Sequence, residues 1–375
     1  MRGWTMIARN LAQRRVRTAL TVSGLAIGIA AVVALLGIAW GFERSFLAIY
    51  EAKGIDLVVV RAGISDRLTS NLDAALGRKL RRMPGVRDVA GSLMDAVSFE
   101  EANLVSVLVN GWEAGSLLFK GIRMIDGRPF RADEPRGAML GRFLALNLGK
   151  KVGDRVDIVG EPFAVVGIFE SENLLENGGV IIPLRAHQAM MGREGQVTGF
   201  VLAADRPDDR SALEALGRRI ERELPGTAAS PARDYVQGDM QIRLAKTMAW
   251  STSVVALLLG ALGVLNTMVM AVFERTREIG VLRALGWRRR RVLALILGES
   301  LALGLIGATF GTGLAFAGVR TLAGLPSTGG FISPHLPPAA VALGLGLGVS
   351  LSVVGGLYPA LRGAGLDPTE ALRHE

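Results

Sequence analysis

Apolar residues are bunched along this chain into four long runs: Thr18 to Phe42, Thr247 to Phe273, Val292 to Val319, and Leu336 to Leu361. Each exceeds the roughly 20 residues that an α-helix needs to cross a bilayer core, so the pattern predicts four transmembrane helices. Three runs carry no charge and the third carries only Glu299. The pattern changes between the first two runs, across residues 43–246. Short stretches rich in Val, Leu and Phe at Asp56–Arg61 and Gly199–Ala204 read there as buried strands. Each precedes a helix, and the helices match: ALGRKLRRMPG at 75–85 and ALGRRIERELPG at 215–226, both closed by a Pro-Gly stop. Two strand–helix–strand halves are expected to pair into one α+β subdomain, around a strand-rich insertion of about 98–195. Leu104–Val109, Arg155–Val159 and Phe163–Phe169 read as its strands, with turns at Gly153-Asp154 and Asn177-Gly178-Gly179. Gly160 and Gly167 are assigned to backbone geometry rather than a ligand. Glu43–Lys53 and Tyr235–Lys246 continue the flanking runs at helical spacing, either as stalks or as ordinary amphipathic surface helices.

Charge supplies the orientation. The segment before the first run holds Arg2, Arg9, Arg14, Arg15 and Arg17 without an acidic residue, and 274–291 holds seven arginines against Glu274 and Glu278. The loop between the third and fourth runs has one charge, Arg320. The positive-inside rule puts both termini and 274–291 in the cytoplasm, and 43–246 on the far side. The expected map is a cytoplasmic N-terminal helix (1–17), transmembrane helix 1 (18–42), the extracytoplasmic domain (43–246) and helix 2 (247–273). A cytoplasmic coupling segment (274–291), helix 3 (292–319), an outer loop (320–335), helix 4 (336–361) and a cytoplasmic tail (362–375) complete it. The fold class is an α-helical membrane protein of four transmembrane helices, with an α+β extracytoplasmic domain inserted between helices 1 and 2.

The domain at 43–246 holds 28 basic and 28 acidic residues, so the chain's +9 belongs to its cytoplasmic segments. No basic face is left to track phosphates, and nucleic acid is excluded as a partner. Without cysteine, disulfides, thiolate metal sites and a cysteine nucleophile are excluded as well. The first run lacks a small-residue cleavage site after a short apolar core, and is expected to stay as an anchor.

The segment 274–291 reads ERTREIGVLRALGWRRRR. Ile279, Leu282 and Leu285 recur every three residues, giving a short helix one apolar edge bordered by arginines, with Gly280 and Gly286 at its entry and exit. Such a helix could lie among lipid headgroups or dock into a partner's groove, and the pattern leaves both open.

ERTREIGVLRALG, followed by GES at 298–300, resembles the coupling region of the MacB/LolC/LolE/FtsX permease family. RNL at 9–11 with RTALT at 17–21 is similar to that family's first helix and span. YPALR at 358–362 with LDPTEALR at 366–373 is similar to its tail, and LGKKVGD at 148–154, FAVVGI at 163–168 and IIPL at 181–184 resemble the MacB-type periplasmic core. The resemblance covers most of the chain, in order. It implies the permease subunit of an ABC transporter in the bacterial cytoplasmic (inner) membrane, paired with a second permease subunit, identical or paralogous. A cytoplasmic ABC ATPase, which binds the ATP and Mg, drives it. Its motion would pass through the spans to the outer domains, which export or extract a hydrophobic or amphipathic substrate (lipoprotein, lipid, peptide or drug), with an adaptor or carrier on the outer side. Matched by position, ATPase coupling falls on Glu274, Arg275, Glu278, Ile279, Gly280, Leu282, Arg283, Ala284, Leu285 and Gly286. Trp287 departs from the pattern, where a small or polar residue is usual. No G-x-x-x-x-G-K-[ST] phosphate loop occurs, so the chain is expected to hold no cofactor and the ATPase to be a separate subunit.

Glu299 lies eight residues past Arg291, about 12 Å along a helix. An intramembrane carboxylate is a functional candidate, as a proton relay or as a structural or coupling residue paired with arginine, and the latter is favoured. Gly24/Gly28 and Gly37/Gly41 are four apart and allow close helix approach, which assigns the first span to the contact with the second subunit. Gly307/Gly311 has the same spacing and fits packing within the chain equally well. The three histidines, His187, His335 and His374, fall in three different segments and cannot form one metal or triad site, and no G-x-S-x-G elbow appears. The chain reads as a non-catalytic permease. The alternative is an FtsX-like signalling scaffold that activates an outer-face partner such as a cell-wall hydrolase.

Overall fold

The computed structural model describes residues 15–64, 67–99, 104–171, 174–323 and 336–366. The RNL motif, most of the N-terminal helix, most of the outer loop with His335, and the tail from Asp367 with His374 lie outside the described residues. Four described helices are long and apolar enough to cross a bilayer: span 1 in Arg15–Lys53, span 2 in Met240–Glu274, span 3 in Arg289–Ala323 and span 4 in Pro338–Gly365. The chain divides into two compact units. One holds Phe42–Leu244, and the other the described parts of Met1–Gly41, Ala245–Leu322 and Pro334–Glu375.

Within the inserted unit the strands are β1 (Leu57–Arg61), β2 (Leu72–Asp73), β3 (Val86–Phe99), β4 (Leu104–Trp112), β5 (Ile122–Gly127) and β6 (Gly137–Gly141). They continue with β7 (Arg155–Ile158), β8 (Glu161–Ser171), β9 (Val180–Pro183), β10 (Gln196–Val197), β11 (Gly199–Ala204) and β12 (Thr227–Pro231). β12, β1, β11 and β3 lie side by side and all antiparallel, the order of a split βαβ pair. The matched helices, Leu76–Arg81 and Arg210–Glu223, place Leu80, Leu213, Leu216 and Ile220 in one core with Leu57, Phe200 and Leu202 of the sheet. Asp209 caps the longer helix by accepting from the Ala212 N–H at 3.1 Å.

The expected boundary at about 98 moves. β3 is 14 residues long, pairs with β11 as far as Ser92, and from Ser92 onward pairs with β4. One strand thus belongs to both halves, and the insertion continues a single sheet, β12-β1-β11-β3-β4-β9-β6-β8-β5, with β7 on β8. The polar interruptions Arg87, Asp88, Ser92 and Asp95 break up the strand's apolar pattern. Two pairings in the insertion, β4–β9 and β6–β8, are parallel. Gly153 and Gly160 take φ of +97° and +78° in turns, which fits the backbone role assigned to Gly160.

The second flanking helix is interrupted. Ala232–Gly238 ends before Asp239, which accepts from the Ile242 N–H at 3.2 Å as a new helix begins at Met240. In the helical unit, spans 1 and 3 touch at glycines. A Cβ on Gly311 would lie 2.6 Å from the Ala26 carbonyl oxygen, and one on Gly307 would lie 2.7 Å from Leu25 Cδ2. The Gly307/Gly311 pair therefore serves packing within the chain.

Candidate functional site: the loop between spans 2 and 3

Span 2 ends at Glu274, and Arg275 breaks the helix with φ −113° and ψ 16°. A separate helix, Thr276–Ala284, follows, and its hydrogen bonding restarts with Ile279 N–H donating to the Arg275 carbonyl at 2.9 Å. It stops at Gly286, whose φ of +89° is the left-handed conformation that ends helices without a Cβ clash. Gly286 thus sits at the exit, as expected. Gly280 does not form the entry: it is buried in mid-helix, and the turn is made at Arg275.

The apolar edge inferred from the three-residue spacing divides. Ile279 joins the core of the helical unit and Leu282 is half-buried, whereas Leu285, just past the last helical residue, is 74% exposed. A repeat of three drifts around a helix of 3.6 residues per turn, so residues six apart no longer share a face. The outward surface carries Arg277, Glu278, Val281, Ala284 and Leu285. Arg283 is half-buried, with its Nε enclosed and without a hydrogen-bond partner among the described residues.

Ion pairs anchor the loop at both sides of the Arg275 break. Arg17, from span 1, donates two hydrogen bonds to the Glu274 carboxylate, one at 2.8 Å and one shorter. Arg275 Nη1 lies 3.0 Å from both oxygens of Glu299 in span 3, with side chains 14% and 9% exposed. Glu299 is thereby paired with an arginine, the structural arrangement favoured from sequence, and its partner comes from across the loop rather than from the adjacent arginine run. Glu274 and Arg275, matched to ATPase coupling, are engaged inside the chain. Nearby, Arg291 stacks over Trp287 at 4.3 Å and Arg362 over Phe273 at 5.0 Å. Trp287 packs against the core of the unit, a place that a small residue would leave empty.

The four span-1 glycines have different surroundings. A Cβ on Gly37 would collide with Leu336 of the same chain, and one on Gly28 would meet the Ala256 carbonyl at 3.6 Å. The close approach permitted at these two is intramolecular. Gly24 faces open space and Gly41 is half-buried. Sequence reasoning passed over Arg17, Arg277 and Val281. Arg17 and Arg277 were absorbed into the charge asymmetry, and Val281 lay off the chosen apolar edge.

Elsewhere, His187 is fully buried with Nε2 3.1 Å from Asp95 Oδ2, and Arg193 donates to Asp95 Oδ1 and to the Ser70 carbonyl, each at 3.0 Å. Among the described residues no three metal-ligating side chains converge.

Residues 18–221 match the family model described as MacB-like periplasmic core domain, and residues 250–368 that described as FtsX-like permease C-terminal. The chain belongs to the MacB/FtsX-like permease family. It is similar, at 30% identity over 403 residues, to a macrolide export ATP-binding/permease protein MacB of Hyphomonas neptunium, with 99% of this chain and 60% of that one covered. It is also similar, at 25% identity over 398 residues, to the uncharacterized ABC transporter permease YknZ of Bacillus subtilis, covering 99% and 98%. The chain thus spans about three-fifths of the length of that MacB relative. The periplasmic region of MacB from Actinobacillus actinomycetemcomitans aligns in structure with a TM-score of 0.40 at 13% identity, over 49% of this chain and 93% of that one. Like other MacB/FtsX-like permeases, the chain is an ABC permease and a multi-pass protein of the inner membrane.

Proposed function

We propose that this chain transmits motion from a cytoplasmic ABC ATPase to its own inserted domain, moving a hydrophobic or amphipathic substrate on the outer side of the membrane. In this reading the arginine-rich loop and both ends of the chain face the cytoplasm, following the positive-inside rule. The ATPase binds ATP and Mg, two permease subunits work as a pair, and an outer adaptor or carrier receives the substrate. The observation that carries the reading is the two-sided helix Thr276–Ala284. Its inner side is fixed to the bundle by Ile279 and, at its start, by Arg275–Glu299, while Arg277 and Val281 look outward beside Leu285 at its end. A short amphipathic helix with charged flanks fits a groove on a partner. A push on the outer side would reach span 3 directly through the buried ion pair.

The test is capture of the tagged full-length chain from detergent-solubilised membranes, with ABC ATPase identified by mass spectrometry and ATP hydrolysis measured in the eluate. Val281→Asp and Leu285→Asp, both on the exposed surface, are expected to lose the ATPase while keeping the wild-type melting temperature. A wild-type chain that captures no ABC ATPase, or variants that capture as much as wild type, would overturn the reading.

A further inference from the structure

Arg288–Arg291 is the longest run of one charge in the chain, and the proposed ATPase contact uses none of it. All four arginines are exposed, and none is ion-paired among the described residues. The carboxylates nearest in sequence are engaged elsewhere. Glu274 accepts from Arg17 and Glu299 from Arg275, and Glu278 lies 3.7 Å from Arg275 Nε. Arg291 lies over the Trp287 ring at 4.3 Å and remains exposed.

Charge asymmetry across the membrane does not by itself account for the run. Arg15, Arg17, Arg275, Arg277 and Arg283 already supply that asymmetry. Arg289, Arg290 and Arg291 moreover occupy the first turn of the 35-residue helix Arg289–Ala323, where the helix dipole disfavours cations. Anions gathered around that end would offset the cost. The spacing selects what carries them. Consecutive helical residues point about 100° apart, so these arginines fan around the helix instead of lining one face. A protein groove meets residues three or four apart, and would reach only part of the run. A surrounding layer of headgroups meets all of it. The depth agrees: Arg289 lies three residues, about 4.5 Å along the axis, before Val292, where the apolar run begins. The headgroup layer beside the hydrocarbon core is about 5–8 Å deep on each side. Trp287, packed against the core of the helical unit next to the run, is an aromatic of the kind such an interface favours.

We propose that Arg288–Arg291 bind the phosphate headgroups of anionic phospholipids, so that this end of span 3 gathers such lipids in preference to zwitterionic ones. Arginine suits the task, because its fork of N–H donors matches phosphate oxygens. The exit of the loop helix is then held by lipid through Arg291 and Trp287, as its start is held by Arg275–Glu299. The proposed orientation enters only in naming the leaflet, the cytoplasmic one, and the site does not depend on the ATPase.

The test uses the tagged full-length chain purified in detergent micelles, where a change of topology cannot enter. Phosphatidylglycerol and phosphatidylcholine are titrated separately, and the concentration giving half of the rise in melting temperature is read. Phosphatidylglycerol is expected to act at a concentration at least about tenfold lower, and less well as salt rises. Arg289→Gln with Arg290→Gln should weaken its action about thirtyfold, at roughly fivefold per arginine. Arg289→Lys with Arg290→Lys should keep most of it, because the charge stays. Arg78→Gln with Lys79→Gln, at exposed positions in the inserted unit, removes the same charge and should change nothing. Inorganic phosphate at the same concentration should neither raise the melting temperature nor compete, which separates a lipid headgroup from a free phosphate. Equal action of the two lipids, a loss in the Arg78/Lys79 variant as large as in the Arg289/Arg290 one, or replacement of the lipid by phosphate would overturn the proposal.

Discussion

Breaking the Arg275–Glu299 pair should be costly, because both side chains are nearly out of reach of solvent at 14% and 9% exposure. One guanidinium nitrogen is shared by both carboxylate oxygens at 3.0 Å, a weaker geometry than two parallel bonds. Truncating one partner of a buried pair costs about 3–5 kcal/mol, since the other charge stays buried alone. The shared nitrogen, and the Glu278 carboxylate 3.7 Å from Arg275 Nε, place this pair near the lower figure, which is still more than a hundredfold in the folding equilibrium. Glu299→Gln is therefore expected to lose about 3 kcal/mol of unfolding free energy, measured by circular dichroism during denaturation in mixed micelles. Arg275→Met combined with Glu299→Leu should recover most of that loss, because a neutral apolar pair leaves no orphaned charge. The double variant separates stability from transmission: near-wild-type folding with ATPase bound but uncoupled from transport would assign the pair to transmission. A loss below about 0.5 kcal/mol for Glu299→Gln, or a double variant whose cost is the sum of the singles, would refute the reasoning.

Gly311→Leu should destabilise the bundle by about 1–3 kcal/mol, because even its Cβ would meet the Ala26 backbone oxygen at 2.6 Å; a melting temperature equal to wild type would contradict this packing. Lys53, 2% exposed, donates to the Leu118 carbonyl at 2.9 Å and pairs with Glu176 at 3.2 Å, under the Trp112 ring. Lys53→Met should cost about 3 kcal/mol by stranding Glu176, and Lys53→Met with Glu176→Leu should cost less, both read by denaturation of the full chain. Glu134 accepts from Arg128 and from the Arg131 N–H, and these bonds hold its carboxyl down to about 2. A depressed carboxylate stabilises the fold above its unfolded value of about 4.3 and loses that contribution as pH falls through its folded value. The 128–134 turn should thus hold at pH 3 and release near pH 2, followed by the Glu134 carboxyl resonance in NMR. Titration near 4 instead would show the clasp to be absent.

Much of the fold was legible because its signals were long or repeated. Four apolar runs can hardly be anything but spans, and the ALGR helices announced two copies of one unit. β3 was hidden because a strand serving two sheet halves has both faces partly covered. Its alternation is broken by Asp88, Ser92 and Asp95, and Asp95 is polar for a local reason, meeting Arg193 and His187. The parallel pairings β4–β9 and β6–β8 depend on which distant segments come together, and no local pattern encodes that. At the loop, the spacing gave a helix but not its orientation. Ile279 turned inward and Leu285 outward because the break at Arg275 set the phase, and the break falls at the residue that pairs with Glu299 rather than at either glycine.

The two conspicuous polar residues of the spans, Glu299 and Asn266, mark opposite kinds of constraint. Both are expensive in hydrocarbon, so each must be satisfied by something. Glu299 is satisfied within the chain, and its partner lies at the junction between span 2 and the loop helix, so the carboxylate ties a movable element to a fixed one. Asn266 is exposed on span 2 and makes no hydrogen bond among the described residues. A motor that pushed on the loop would move span 3 through Glu299. The arrangement makes a specific demand: a cross-link from Leu285→Cys to the captured ATPase should arrest its ATP hydrolysis. Undiminished hydrolysis under that cross-link would show that the loop does not carry the motion.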